Sequence, residues 1–313
     1  MACFGIQFRN EAAAATAMQA LSLLRGHFAA QDGPGHHDVA RGVDTAGYET
    51  WVVLAYWREP EAFDRWIKTP SLVQWWEDPA REQEGVGYFR EILRPRVTHL
   101  ETLFSTPDRN EGLAILTQHD GIEVREHAYW GSVRDRLAAA QTDALRADGM
   151  LGVNVSPSGT RVRLLPHDHI ALIRSGQDWE QTEGLEREIY LHEVRPVLHQ
   201  AMEFLSTSGL DIGCYANRYL QQMGPDGTLV ERTFGLSVWR SLEHLEAWAE
   251  SHPSHVLIFS TFLKMLQTLN WQLKLRLYHE VMVAGRDEQH FEYVNCHRHT
   301  GLLGAAQHAE LTS

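Results

Sequence analysis

Residues 56–71 read YWREPEAFDRWIKTPS, and residues 238–254 read VWRSLEHLEAWAESHPS. Placing Trp57 on Trp239 brings Arg58 onto Arg240, Glu61 onto Glu243, Phe63 onto Leu245 and Trp66 onto Trp248. One extra residue then restores Pro70-Ser71 against Pro253-Ser254. Before each copy runs a β-branched and aromatic stretch, Thr50–Trp57 and Thr233–Trp239, which reads as a strand. Each copy then enters a short helix, since Phe63 and Trp66, like Leu245 and Trp248, recur at helical spacing. Farther upstream, a strand (Phe4–Phe8 and His169–Arg174) leads into a helix in both halves. The first helix is Ala-rich and ends near residue 30; the second spans about Gln181 to Leu205. The chain is therefore expected to be α+β, with two β-α-β-α-β units of ferredoxin-like, antiparallel pattern. Packed together, two such units are expected to form an α+β barrel of the dimeric α/β-barrel kind, with a pocket between a sheet and its helices. The expected division is residues 1–105 for the first repeat and 106–313 for a linker helix (Val133–Leu145) plus the second repeat.

The copies diverge just after the shared Pro-Ser, where His255 stands in the place of Leu72. His255 heads a helix reaching about Leu269, with Ser251 as its expected cap and Pro253 in its first turn. Ile258, Phe259, Phe262, Met265 and Leu266 follow at helical spacing, so the histidine opens an apolar face. A neutral imidazole facing an apolar pocket suits an axial haem ligand. A hydrogen-bonded core or capping histidine is the other reading. In the strand Leu273–Val283, alternation puts Leu275, Leu277, His279 and Val281 on one face, with Lys274, Arg276, Tyr278 and Glu280 on the other. His279 is the ionisable group of an otherwise aliphatic face, which makes it the candidate general acid/base, or else a satisfied core histidine. Arg134 lies three residues before Leu137 in the expected linker helix, near its apolar stripe, while Asp135 and Arg136 are expected to point elsewhere. Snorkelling over that stripe is the alternative. Ser175 follows the strand Ile170–Arg174 and precedes Gly176, a position where serine ordinarily caps or turns the chain.

A formal net charge of −13, spread along the chain, argues against nucleic acid and anionic membranes as partners. No apolar run is long enough to span a bilayer, and no basic stretch leads into an apolar core at the start. The three cysteines form no CxxC or CxxCH, which fits a reducing compartment; a cytoplasmic protein is expected. The pairs His167/His169 and His297/His299 have no third ligand nearby in sequence, and no phosphate-binding glycine loop or nucleophile elbow is present.

Several strings together resemble the haem-containing aldoxime dehydratases. They are Ala55–Trp57, Glu126–Arg136, Ile173–Trp179, His252–His255, Leu275–Val281 and Phe291–His297, in family order across nearly the whole chain. The resemblance implies non-covalent haem b with His255 as its proximal iron ligand. It implies His279, Ser175 and Arg134 around the opposite face of the iron, and an alkyl or aryl aldoxime as substrate. It further implies dehydration to the nitrile on ferrous haem, the oxime nitrogen bound to iron and His279 moving the protons. Ser175 would fix the hydroxyl, and Arg134 would stabilise developing charge. Members of the family usually carry an N-terminal arm before the strand that starts here at Ala2, so a shortened or compact variant is expected. A homodimer is plausible for the architecture. Two rivals stay open: a haem peroxidase or oxygenase of the same fold, and a non-catalytic protein that binds haem or an apolar ligand.

Overall fold

The computed structural model describes residues 1–117 and 133–312. The first unit runs β1 (Ala2–Phe8), α1 (Glu11–Phe28), β2 (His36–Val43), β3 (Glu49–Tyr56), α2 (Pro60–Trp66), α3 (Pro70–Glu77) and β4 (Gly87–Leu93). A connecting region follows with β5 (Leu100–Phe104), α4 (Val133–Arg136), β6 (Gly152–Val155) and β7 (Arg161–Leu165). The second unit runs β8 (Ile170–Asp178), α5 (Gly184–Ile189), α6 (Arg195–Ser208), β9 (Cys214–Met223), β10 (Leu229–Trp239), α7 (Leu242–Ser251), α8 (Pro253–Thr268) and β11 (Arg276–Ala284). β12 (Gln289–Val294) and α9 (Leu302–Thr312) end it.

Each unit contains one strand more than the sequence pattern predicted. The extra strand β2 follows Gly33-Pro34-Gly35, whose local preference is for a loop. Pairing with β3 on one side and β9 on the other overrides that local preference. Strand order is β2-β3-β1-β4 in the first unit and β9-β10-β8-β11 in the second, all antiparallel. The β2–β9 pairing, Val39 against Met223 through Arg41 against Gln221, fuses the units into one twelve-stranded sheet.

That sheet is not the closed barrel expected. Closure would need β4 to meet β11, but β11 pairs with β5, and β4 pairs with β12, which continues to β7 and β6. The added strands occupy both edges. The sheet nevertheless folds over on itself, because inner-face residues of both units (Leu54, Phe89, Leu172, Phe234, Met282, Tyr293) share one buried cluster. Outer faces carry helices: α1–α3 cover the first unit and α6–α8 the second. Strands buried on both faces explain why β3 reads as an unbroken apolar run rather than an alternation.

Two helices differ from expectation. Among the described residues the linker helix covers only Val133–Arg136, not reaching Leu145, and a 3-10 turn follows at Ala139–Gln141. The long helix after β8 is broken at Tyr190–Val194 by a π turn before Pro196, whose missing N–H suits the start of a new segment. No helix among the described residues is long and apolar enough to cross a membrane.

Candidate active site

The outer faces of β8, β10 and β11 and the inner sides of α6, α7 and α8 enclose a cavity of about 1170 Å³, mouth included. Its walls are mostly aliphatic and aromatic (Leu198, Met202, Phe259, Phe262, Leu275, Leu277), with Ser175, His255 and His279 among the polar groups. Gly235 on β10 lets Met202 pack close to the sheet at the cavity's edge, since a Cβ there would lie 2.9 Å from its Sδ.

His255 enters from the helix side. Pro253 starts α8, and the capping group is the imidazole of His252, which accepts from the Ser254 N–H, rather than the expected Ser251. His255 Nδ1 donates to the Ala249 carbonyl at 2.7 Å, and its ring packs against Trp248 with centroids 4.6 Å apart. Burial lowers its pKa despite that hydrogen bond, so the ring is neutral at pH 7. With Nδ1 committed, the Nε2 lone pair is the one left for the cavity, and no described residue bonds to it. A metal-ligating histidine is ordinarily anchored this way. Apolar walls and one anchored neutral imidazole fit haem.

His279 enters from the sheet side, opposite Ser175 in the β11–β8 register. The serine is internal to β8, which continues to Asp178, not at the strand end predicted. Pairing on both sides, with Gly235 and with His279, overrides the turn preference of Ser-Gly. His279 is 2 % exposed, and its Nε2 lies 2.9 Å from Glu101 Oε2. Glu101 sits diagonally across the β5–β11 pair, beside Val281, so both side chains share one face. Burial alone would raise the Glu101 carboxyl, but His279 and Arg136 outweigh it and hold it below the usual carboxylate range. The sequence reading missed Glu101; its trace was a lone carboxylate on the short apolar strand Leu100–Phe104.

The arginines exchange their expected places. Arg136 donates to Glu101, and so stands behind the His279 dyad. Arg134 instead turns to α7, bonding Glu246 through Nε (3.0 Å) and Nη2 (2.9 Å) and the Ala144 carbonyl through Nη1 (2.9 Å). Helical spacing and the family strings together selected Arg134, but the helix does not carry that spacing beyond Arg136. Of the string Glu126–Arg136, residues 126–132 lie outside the described residues.

Fold and cavity thus define an α+β protein with a ligand-ready histidine on one wall and a histidine–carboxylate dyad on the other. The family model for haem-containing dehydratases matches residues 2–302, and the chain belongs to that family. An aliphatic aldoxime dehydratase of Pseudomonas chlororaphis is 43% identical over 305 residues, covering 97% of this chain and 86% of that protein. A phenylacetaldoxime dehydratase of Bacillus sp. (strain OxB-1) is 32% identical over 294 residues, covering 92% and 83%. A crystal structure of an aldoxime dehydratase in complex with butyraldoxime matches with a TM-score of 0.92 and 40% identity, over 97% of this chain and 85% of that one.

Proposed function

We infer that this chain is a haem-dependent aldoxime dehydratase, a lyase that converts an alkyl or aryl aldoxime into the nitrile and water. The observation that carries it is the opposition of anchored, neutral His255 to the His279–Glu101 dyad across an apolar cavity, in a chain of this family. Bound haem b supplies an iron whose electron density weakens the oxime N–O bond. His255 would hold that cofactor through Nε2. The apolar wall of Leu275, Leu277 and Phe262 takes the organic group and excludes bulk water. Hydroxide is a poor leaving group, so His279 donates a proton to the hydroxyl oxygen as the N–O bond breaks. It then recovers the carbon-bound proton as the nitrile forms, and one water leaves for each aldoxime consumed. Glu101 orients the imidazole, Arg136 holds Glu101, and Ser175 fixes the hydroxyl. Arg134, the arginine first expected beside the iron, is given no contact with the reacting atoms in this reading.

The same reading makes residues 1–105 and 106–313 ferredoxin-like repeats of a duplicated unit, and the protein a cytoplasmic homodimer without nucleic-acid or membrane partners. Its support is the matching strand order of the two units and the net charge of −13. The test is anaerobic incubation of the dithionite-reduced holoenzyme with butyraldoxime. Nitrile formed without added oxidant is expected; none formed by a protein with an intact Soret band overturns the assignment.

A further inference from the structure

The turn Val133–Arg136 spans the cavity's two walls. Val133 is buried and lines the cavity, Arg134 is fixed to Glu246 on the helix wall, and Arg136 to Glu101 on the sheet wall. Glu246 itself lines the cavity. Leu137, fully buried among Leu145, Ala171 and Val283, roots the turn's end, and Gln141 Nε2 donates to the carbonyls of Arg134 and Asp135. Arg136 therefore reaches Glu101 from a support whose other end is held by Arg134. The two guanidinium groups are carried two residues apart on one helical turn, and so leave it toward different walls.

We propose that Arg134 is a positioning residue that acts through Arg136: its bidentate pair with Glu246 on α7 sets the turn so that Arg136 holds Glu101 against His279. This rests on the reading of His279–Glu101 as the acid/base dyad. Nothing in the geometry brings Arg134 to the reacting atoms; its three donor nitrogens are spent on Glu246 and Ala144.

The test is a double-mutant cycle on the haem-loaded enzyme, with kcat and KM taken per bound haem. Arg136→Ala is expected to lower kcat by ~100-fold, and Arg134→Ala by ~10-fold, both with little change in KM. The double variant should match Arg136→Ala alone, because Arg134 has no route to the dyad once Arg136 is gone. The charge swap Arg134→Glu with Glu246→Arg should regain most of the kcat that Arg134→Glu loses. Losses that multiply in the double variant, or a swap that regains nothing, overturn the proposal, as does an Arg134→Ala enzyme with unchanged kcat. If Arg136→Ala itself leaves kcat unchanged, the fault lies in the assignment of the dyad.

Discussion

Glu101 decides what His279 can do. Its carboxylate accepts from His279 Nε2 at 2.9 Å and so fixes the ring's orientation for the proton transfers. Glu101→Gln keeps the shape and removes the charge. We expect kcat to fall by ~100-fold with the Soret band unchanged, measured on the reduced enzyme with saturating aldoxime. Across the cavity, His255→Gly should lose most of the haem, and added imidazole should restore the Soret band by occupying the space vacated. Retention of haem by His255→Gly would displace His255 as the axial ligand. Both histidines were legible in the sequence, for one physical reason: each interrupts a strictly periodic apolar face. Ser175 was legible only through the family strings, since Ser-Gly has the local chemistry of a turn. Arg136 was illegible, because choosing between two arginines needed helical phase, and the helix does not continue beyond Arg136.

At the scale of elements, β8 and β11 do two jobs back to back. Their cavity face pairs Ser175 with His279, and the next residues pair Arg174 with Glu280 on the inner face. Arg174 is wholly buried; its Nη1 meets Asp38 of β2 at 2.7 Å and the Tyr56 hydroxyl of β3 at 2.9 Å. Tyr56 donates to Glu280, which also accepts the Leu113 N–H at 2.7 Å. Gly112, at φ 54°, allows that approach, since a Cβ there would strike the Glu280 carboxylate. Alternation had placed Glu280 and Tyr278 opposite His279, as found, but not that the opposite face is buried too; inward burial on both faces comes from the second unit, which strand periodicity cannot show. Arg174→Met should destabilise the protein by about 3–5 kcal/mol, because Asp38 and Glu280 then stay buried without their cation. Urea unfolding followed by far-UV circular dichroism measures it, and a loss under about 1 kcal/mol, the range of an exposed ion pair, would contradict the account.

For the whole molecule, buried carboxylates tie stability to pH. Burial would raise the carboxyls of Asp38, Glu101 and Glu292, but their partners prevail and hold all three below the ordinary range: Arg174 and His36 for Asp38, His279 and Arg136 for Glu101, and His290, Arg90 and Arg161 for Glu292. A carboxyl whose folded pKa lies below its unfolded one contributes stability that is complete above the unfolded value, about 4. That contribution is lost as pH falls through the folded value. The urea midpoint should therefore be level from about pH 5 to 7 and drop below about pH 4. The loss should also be global. Asp38 lies in the first unit and Arg174 in the second, Glu292 of β12 pairs with Arg90 of β4, and the inner core draws on both units. A unit pulled away would expose that shared core and strand these ions, so neither half has a low-energy way to unfold alone. Tryptophans occupy both halves, with Trp51, Trp66 and Trp76 buried in the first, whereas the cavity that His255 lines lies in the second. Fluorescence and Soret absorbance should thus report one coincident urea transition, even though His255 and its cavity lie in one unit. Soret loss well before the fluorescence change, with the first unit's signal intact, would show that the two halves fold as independent bodies and that the shared core is not what holds the site.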